Sequence, residues 1–108
     1  MGVHVEIMPS NNAVKIAPTG KLGNVIQKEF RKAYEENSAN QYIIDLANVE
    51  SIDSSGLGMM LLMRDFVGGK SANISITNCS DHILDILTVT CFYKLFNIAQ
   101  HASMKNGS

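Results

Sequence analysis

No apolar run in this 108-residue sequence comes near the roughly 18 residues that a membrane-spanning helix needs, so no membrane insertion is expected. An excess of charge of either sign is also missing. Nine basic side chains against ten acidic ones leave a formal charge of −1, a balance that offers neither a nucleic-acid groove nor a membrane-attracted patch. Met1-Gly2-Val3-His4-Val5-Glu6 has no basic stretch followed by an apolar one, so no export signal is expected. Glu6 stands where a myristoylation pattern wants Ser or Thr. There are only two cysteines, Cys79 and Cys91, and without an export signal two reduced thiols in a cytoplasmic protein are expected. A dinucleotide fingerprint after the first strand and a Gly-Lys-Ser/Thr phosphate loop are both absent, which removes the commonest nucleotide-binding folds.

What is present describes one folded unit. Apolar residues make up 45% of the chain and charged ones 18%, a composition that can bury a core and is wrong for a disordered chain. A single domain over residues 1–108 is expected, with its core at about 3–98 and a short polar tail.

Val3, Val5 and Ile7 alternate with polar residues, Pro9-Ser10-Asn11-Asn12 interrupts, and Val14 and Ile16 resume, which predicts a hairpin or two adjacent strands over residues 3–17, ended by Pro18-Thr19-Gly20. Leu22, Ile26, Phe30, Ala33 and Tyr34 fall on one face at helical spacing. The nearly continuous apolar run Tyr42–Leu46 predicts a central strand covered on both faces. A Leu- and Met-rich helix is predicted from Leu57 to Val67, a strand around Ile74 and Ile76, and a helix over Ile83–Leu87 capped from Ser80-Asp81. Phe92–Ile98 adds a last apolar cluster, with a short helix expected from Ala99 to Lys105. Strands alternating with helices place the chain in the α/β class, as a mixed sheet flanked by helices.

Between two of these segments lies Ile52-Asp53-Ser54-Ser55-Gly56-Leu57-Gly58. Asp53 or Ser54 suits the N-cap of the following helix, and the glycines allow close approach of neighbouring backbone. A hydrolase nucleophile fits poorly, because the strand-to-helix elbow wants glycines two before and two after the serine, where Asp53 and Leu57 stand. None of His4, His82 and His101 is tied to Ser55 as a base. A phosphorylated serine on a first helical turn fits physically, since the free amides and the positive end of the helix dipole tolerate a charge of about −1.5 to −2. Composition alone leaves the cap and the modified serine both open.

The segment Ile43–Leu62, IIDLANVESIDSSGLGMMLL, resembles the signature of the STAS domain, the family of bacterial anti-sigma-factor antagonists. Asp45-Leu46 and the block Asp53–Gly58 meet that pattern without a gap, and Gly20-Lys21-Leu22 and Leu95-Phe96-Asn97-Ile98 extend it over nearly the whole chain. The resemblance implies a STAS-like fold and a domain that catalyses nothing itself and needs no cofactor. Ser55 would be the phosphoacceptor, with Asp53, Ser54, Gly56, Leu57 and Gly58 as its neighbours. On their own chemistry Met59, Met60 and Met63 read first as core filling, and the alternative makes Met59 and Met60 an adaptable partner surface beside Ser55. The implied partners are an anti-sigma factor that is also a serine kinase of the histidine-kinase-like ATPase type, which would spend the ATP, and a PP2C-like phosphatase. Unmodified protein, a monomer or weak dimer, would bind the kinase. The alternative is an unmodified STAS scaffold or regulatory subunit of a multiprotein or lipid-transport complex. One departure is Thr90-Cys91-Phe92, where many relatives carry a glycine in place of Cys91; a partly buried thiol is expected there. Phe66, Phe92 and Phe96 are expected in the core, and Asp81 and Asp85 on a solvated helix face rather than on a metal.

Overall fold

The computed structural model describes residues 2–99. β1 (Gly2–Met8) and β2 (Ala13–Leu22) form an antiparallel hairpin. Contrary to expectation, β2 does not stop at Pro18. Its first part, Ala13–Ile16, pairs with the next strand of the sheet, and its last part, from Gly20, pairs with another. Pro18, which has no N–H to donate, lies opposite Val3 in the gap between those two ladders. Gly20, at φ 78°, supplies the irregularity that turns the strand from one neighbour to the other.

Leu22 therefore ends a strand rather than opening a helix. After one 3₁₀ turn, α1 (Gln27–Glu35) presents Phe30, Ala33 and Tyr34 inward, with Ile26 buried just ahead of it. β3 (Gln41–Asp45) follows, then β4 (Val49–Ile52), a strand too short to show alternation in the sequence. It lies parallel to the end of β2, with Leu22 opposite Ile52. α2 (Ser54–Val67), β5 (Ile74–Thr77), α3 (Asp81–Val89) and β6 (Asn97–Ile98) complete the described chain. Ser80 caps α3 by accepting the Ile83 N–H at 3.3 Å. The helix expected from Ala99 to Lys105 lies, beyond Ala99, outside the described residues.

The sheet runs β1-β2-β3-β5-β6, with β4 on the far end of β2; among the described residues only the β1–β2 pair is antiparallel. Its core residues share one face, where Ile16, Ile44 and Ile76 lie side by side and are fully enclosed, while Ala13 is buried on the opposite one. All three helices send their buried side chains into that same cluster. The other face carries Lys15, Ile43, Asp45, Ser75 and Thr77, half-buried and outside the core. Among the described residues β3 is thus covered by helices on one face only; Ile43 makes its run look continuous, while only Tyr42 and Ile44 point into the core. A mixed sheet flanked by helices stands; the two-sided burial of β3 does not.

Candidate functional site

Parallel pairing of β4 with the end of β2 brings Asp53 beside Lys21 and Gly23, thirty residues earlier in the chain. Asp53 is the N-cap of α2, and the choice between Asp53 and Ser54 follows from reach. In its extended backbone conformation Asp53 Oδ1 accepts the Gly56 N–H, three residues on, at 3.0 Å. The same oxygen accepts the Ser55 hydroxyl at 2.6 Å, a short charge-assisted bond. Lys21 Nζ stands 3.6 Å from Oδ2. The Ser55 hydroxyl, and then the Gly56 N–H, hold the Asp53 carboxyl below its ordinary range, with Lys21 adding to them.

Ser55 is half-buried on the first turn of α2, whereas Ser54 is exposed. The two glycines differ sharply. A Cβ on Gly56 would sit 2.0 Å from the Leu22 carbonyl oxygen, so this residue lets the helix start rest directly on β2. A Cβ on Gly58 would meet nothing within 4 Å, and it is Gly58 that leaves open space beside the serine. Leu57 is half-buried against the core. A pocket of about 210 Å³, lined by Lys21, Gly23, Asn24, Val25 and Asp53, opens next to the cap, with Val25 81% exposed.

Met59 and Met60 are not surface. They are 4% and 0% exposed and, with Gly56 and Met63, form the stripe of α2 that faces the sheet. The uncovered apolar residues are Leu61, Leu62 and Phe66; Phe66, expected in the core, is 59% exposed. Its ring packs against Tyr34 of α1 at 5.5 Å between centroids. Ser55, Leu62 and Phe66 lie seven and four residues apart, so they share one side of the helix. A helix apolar on nearly every side gives no periodic signal of which stripe faces in, which is why the sequence did not distinguish Met59 from Leu62. Lys21 and Gly23 carry no signal of their own either; only the β2–β4 register places them at the site.

Asp45, the other acidic residue of the signature segment, is a clamp rather than part of this cluster. Its Oδ1 accepts from the Ala47 N–H and the Asn78 side-chain amide, both at 3.0 Å, and Oδ2 lies 3.4 Å from Lys15 Nζ. Burial pushes its carboxyl upward, but the Asn78 amide, the Ala47 N–H and Lys15 together outweigh that and leave it lowered. Cys79 is buried, and its thiol is pushed up to about 11 by desolvation. Cys91, expected to be partly buried, is exposed and sits at φ 62°, a left-handed position that suits the glycine of the relatives.

A family model described as "Mlab, STAS domain" matches residues 7–96. A STAS-domain containing protein of Pseudomonas aeruginosa (strain UCBPP-PA14) is 45% identical over 82 residues, covering 74% of this chain and 81% of that protein. Among solved structures, that of a candidate anti-sigma factor antagonist of Thermotoga maritima superimposes with a TM-score of 0.77 at 18% identity, over 95% of this chain and 92% of that one. The Bacillus cell fate determinant SpoIIAA in its phosphorylated form gives 0.62 at 16% identity, over 98% and 99% of the two chains. At these identities the solved structures speak to the fold.

Proposed function

The chain belongs to the STAS-domain family, and from that premise we propose that it is a phosphorylation-controlled binding module of a partner-switching pathway, with Ser55 as the acceptor. STAS domains are non-catalytic regulatory modules, so the domain's part is that of substrate and ligand. A serine kinase of the histidine-kinase-like ATPase type transfers the phosphoryl group from ATP, and a PP2C-like phosphatase removes it. The reading is carried by one observation: the half-buried Ser55 falls, at helical spacing, on the same side of α2 as the uncovered Leu62 and Phe66.

A phosphate on Ser55 would sit at the rim of that apolar face, beside the ionised Asp53. The fold tolerates it, because it enters at the positive end of the helix dipole. An interface formed over Leu62 and Phe66 does not. Docking would desolvate a dianion and press it against whatever acidic or apolar group the partner places there. The partner surface is then Leu61, Leu62 and Phe66, in place of the two buried methionines.

Affinity capture from lysate of the source cells tests this, with Ser55→Ala and Ser55→Asp proteins as bait. Retention of an ATP-binding kinase by the alanine form and its loss from the aspartate form is expected. Equal retention by both would favour the unmodified scaffold or regulatory subunit instead.

A further inference from the structure

We propose that β1 is a dimerisation edge, pairing antiparallel with β1 of a second copy of this chain about a two-fold axis through Val5; the interface stands apart from the Ser55 switch. β1 lies at one end of the sheet and, among the described residues, pairs with β2 alone. Its seven residues match β2 one for one, from Gly2 opposite Thr19 to Met8 opposite Ala13, with no bulge. Sheet edges are ordinarily protected by a lysine, a proline, a bulge or a very short strand. β6, at the other end of the sheet, is two residues long. β1 reads GVHVEIM and has none of these protections.

The edge is also complementary to itself. Val5 is the middle residue of the strand, so an axis through it pairs all seven residues with the second copy. Val5 then faces Val5, Val3 faces Ile7 and His4 faces Glu6, the last two pairs each occurring twice. His4 and Glu6 are exposed and Ile7 is 54% exposed, so the pairing sets imidazole against carboxylate and takes apolar surface out of water. Neighbouring axes do worse. One through Glu6 opposes two carboxylates, and one through His4 opposes two imidazoles and leaves Ile7 and Met8 without a strand partner. Beside Val5 a crevice of about 200 Å³, bounded by Glu29, Lys32, Ala33, Glu36 and Asn37, leaves room for the apolar side chains of the second strand. The α2 face stays open in such a dimer, because Phe66 packs on Tyr34 of α1 whereas the edge lies beside Glu29 and Lys32 of that helix.

Sedimentation velocity of the purified protein, from low to high micromolar concentration, tests the interface. Wild type should pass from one chain mass to twice that mass as the concentration rises. His4→Glu sets carboxylate against carboxylate at two places and should weaken association about fivefold or more. The exchange of His4→Glu with Glu6→His recreates both unlike pairs and should return association to within about twofold of wild type. Wild type that stays a monomer throughout overturns the inference, as does a dimer that His4→Glu leaves unchanged or a loss that the exchange does not restore. Register is read by oxidative crosslinking in a Cys91→Gly background, which leaves only the buried Cys79 as a native thiol. Val5→Cys lies on the axis, its Cα about 4.5–5.5 Å from its own copy and within disulfide reach, and should form a covalent dimer. Ile7→Cys, displaced from its copy by roughly 13 Å along the strand, should not; crosslinking at Ile7 in place of Val5 overturns the inference. If Val5→Cys does not fold, the charge exchange at the exposed positions 4 and 6 decides. None of these outcomes depends on Ser55, so the switch and the dimer fail separately.

Discussion

Gly56→Ala and Gly58→Ala add the same methyl group to the same helix two residues apart, and opposite effects on stability follow from their surroundings. At Gly56 the new Cβ would lie 2.0 Å from the carbonyl oxygen of Leu22, 2.8 Å from its carbon and 3.0 Å from a side-chain carbon of Ile52. The nearest atom is backbone, so no rotamer change relieves it. The start of α2 must retreat from β2 by roughly 1 Å before the contact reaches the closest approach that side chains tolerate. That shift also loosens the Asp53 N–H bond to the same Leu22 oxygen, already long at 3.4 Å. Overpacking costs about 1–3 kcal/mol, and a clash with backbone that no rotamer relieves falls in the upper part of that range, about 2–3 kcal/mol, against about 1 kcal/mol gained from alanine's higher helix propensity. A net loss of roughly 1–2 kcal/mol lowers the unfolding midpoint by about 5–15 °C in a domain of this size. At Gly58 the methyl meets nothing within 4 Å, leaving only the propensity gain. The midpoint should then rise by a few degrees (about 0.5–1 kcal/mol). Thermal unfolding followed by circular dichroism reads both. A Gly56→Ala protein as stable as wild type, or a destabilised Gly58→Ala protein, would refute the close-packed helix start.

Phe66→Gln should alter stability by less than about 1 kcal/mol, because the ring is mostly in water and gives up chiefly its contact with Tyr34. It should nevertheless weaken partner capture at least about tenfold; unchanged capture would place the interface elsewhere. Iodoacetamide at pH 7.5 should label Cys91 alone in the native protein and both cysteines after unfolding, since burial holds the Cys79 thiol at about 11; mass spectrometry of the digest checks this. Asp45 has a lowered carboxyl, so its stabilising effect is complete above the ordinary value of 3.8 and is lost as the pH falls through the lower folded value. Urea midpoints between pH 5 and pH 2.5 should therefore fall steeply for wild type and less steeply for Asp45→Asn, and parallel curves would contradict the clamp. Cys91→Gly should stabilise by up to about 1 kcal/mol by relieving the left-handed backbone, read as a higher urea midpoint.

The parts of the molecule that were legible in the sequence are those governed by short-range chemistry. Asp53-Ser54-Ser55-Gly56 announces a helix start because a short acceptor followed by unpaired amides has few other uses, and Ser80-Asp81 does the same for α3. The alternation in Val14–Ile16 and Ile74–Ile76 marks strands because those residues have one wet side and one dry side. What the sequence concealed depends on long-range pairing. Pro18 reads as a stop until the sheet is known to switch partners around it, and Leu22 reads as helical until Ile52 is found opposite. Ile43 made a one-sided strand look two-sided. In α2 the core stripe of Met59, Met60 and Met63 and the open stripe of Leu62 and Phe66 are equally apolar, so only the packing separates them. The cluster around Ser55 was half readable for the same reason: Asp53 is local to it, while Lys21 and Gly23 arrive through the sheet.

The most direct measurement is the intact mass of the protein purified from its own cells, alongside a Ser55→Ala variant. A species heavier by about 80 Da, one phosphoryl group, that is present in wild type and missing from the variant is the expected result. A single unmodified mass in wild type, even after incubation with ATP in lysate of those cells, would contradict the switch, and a modified mass that persists in the variant would move the acceptor away from Ser55.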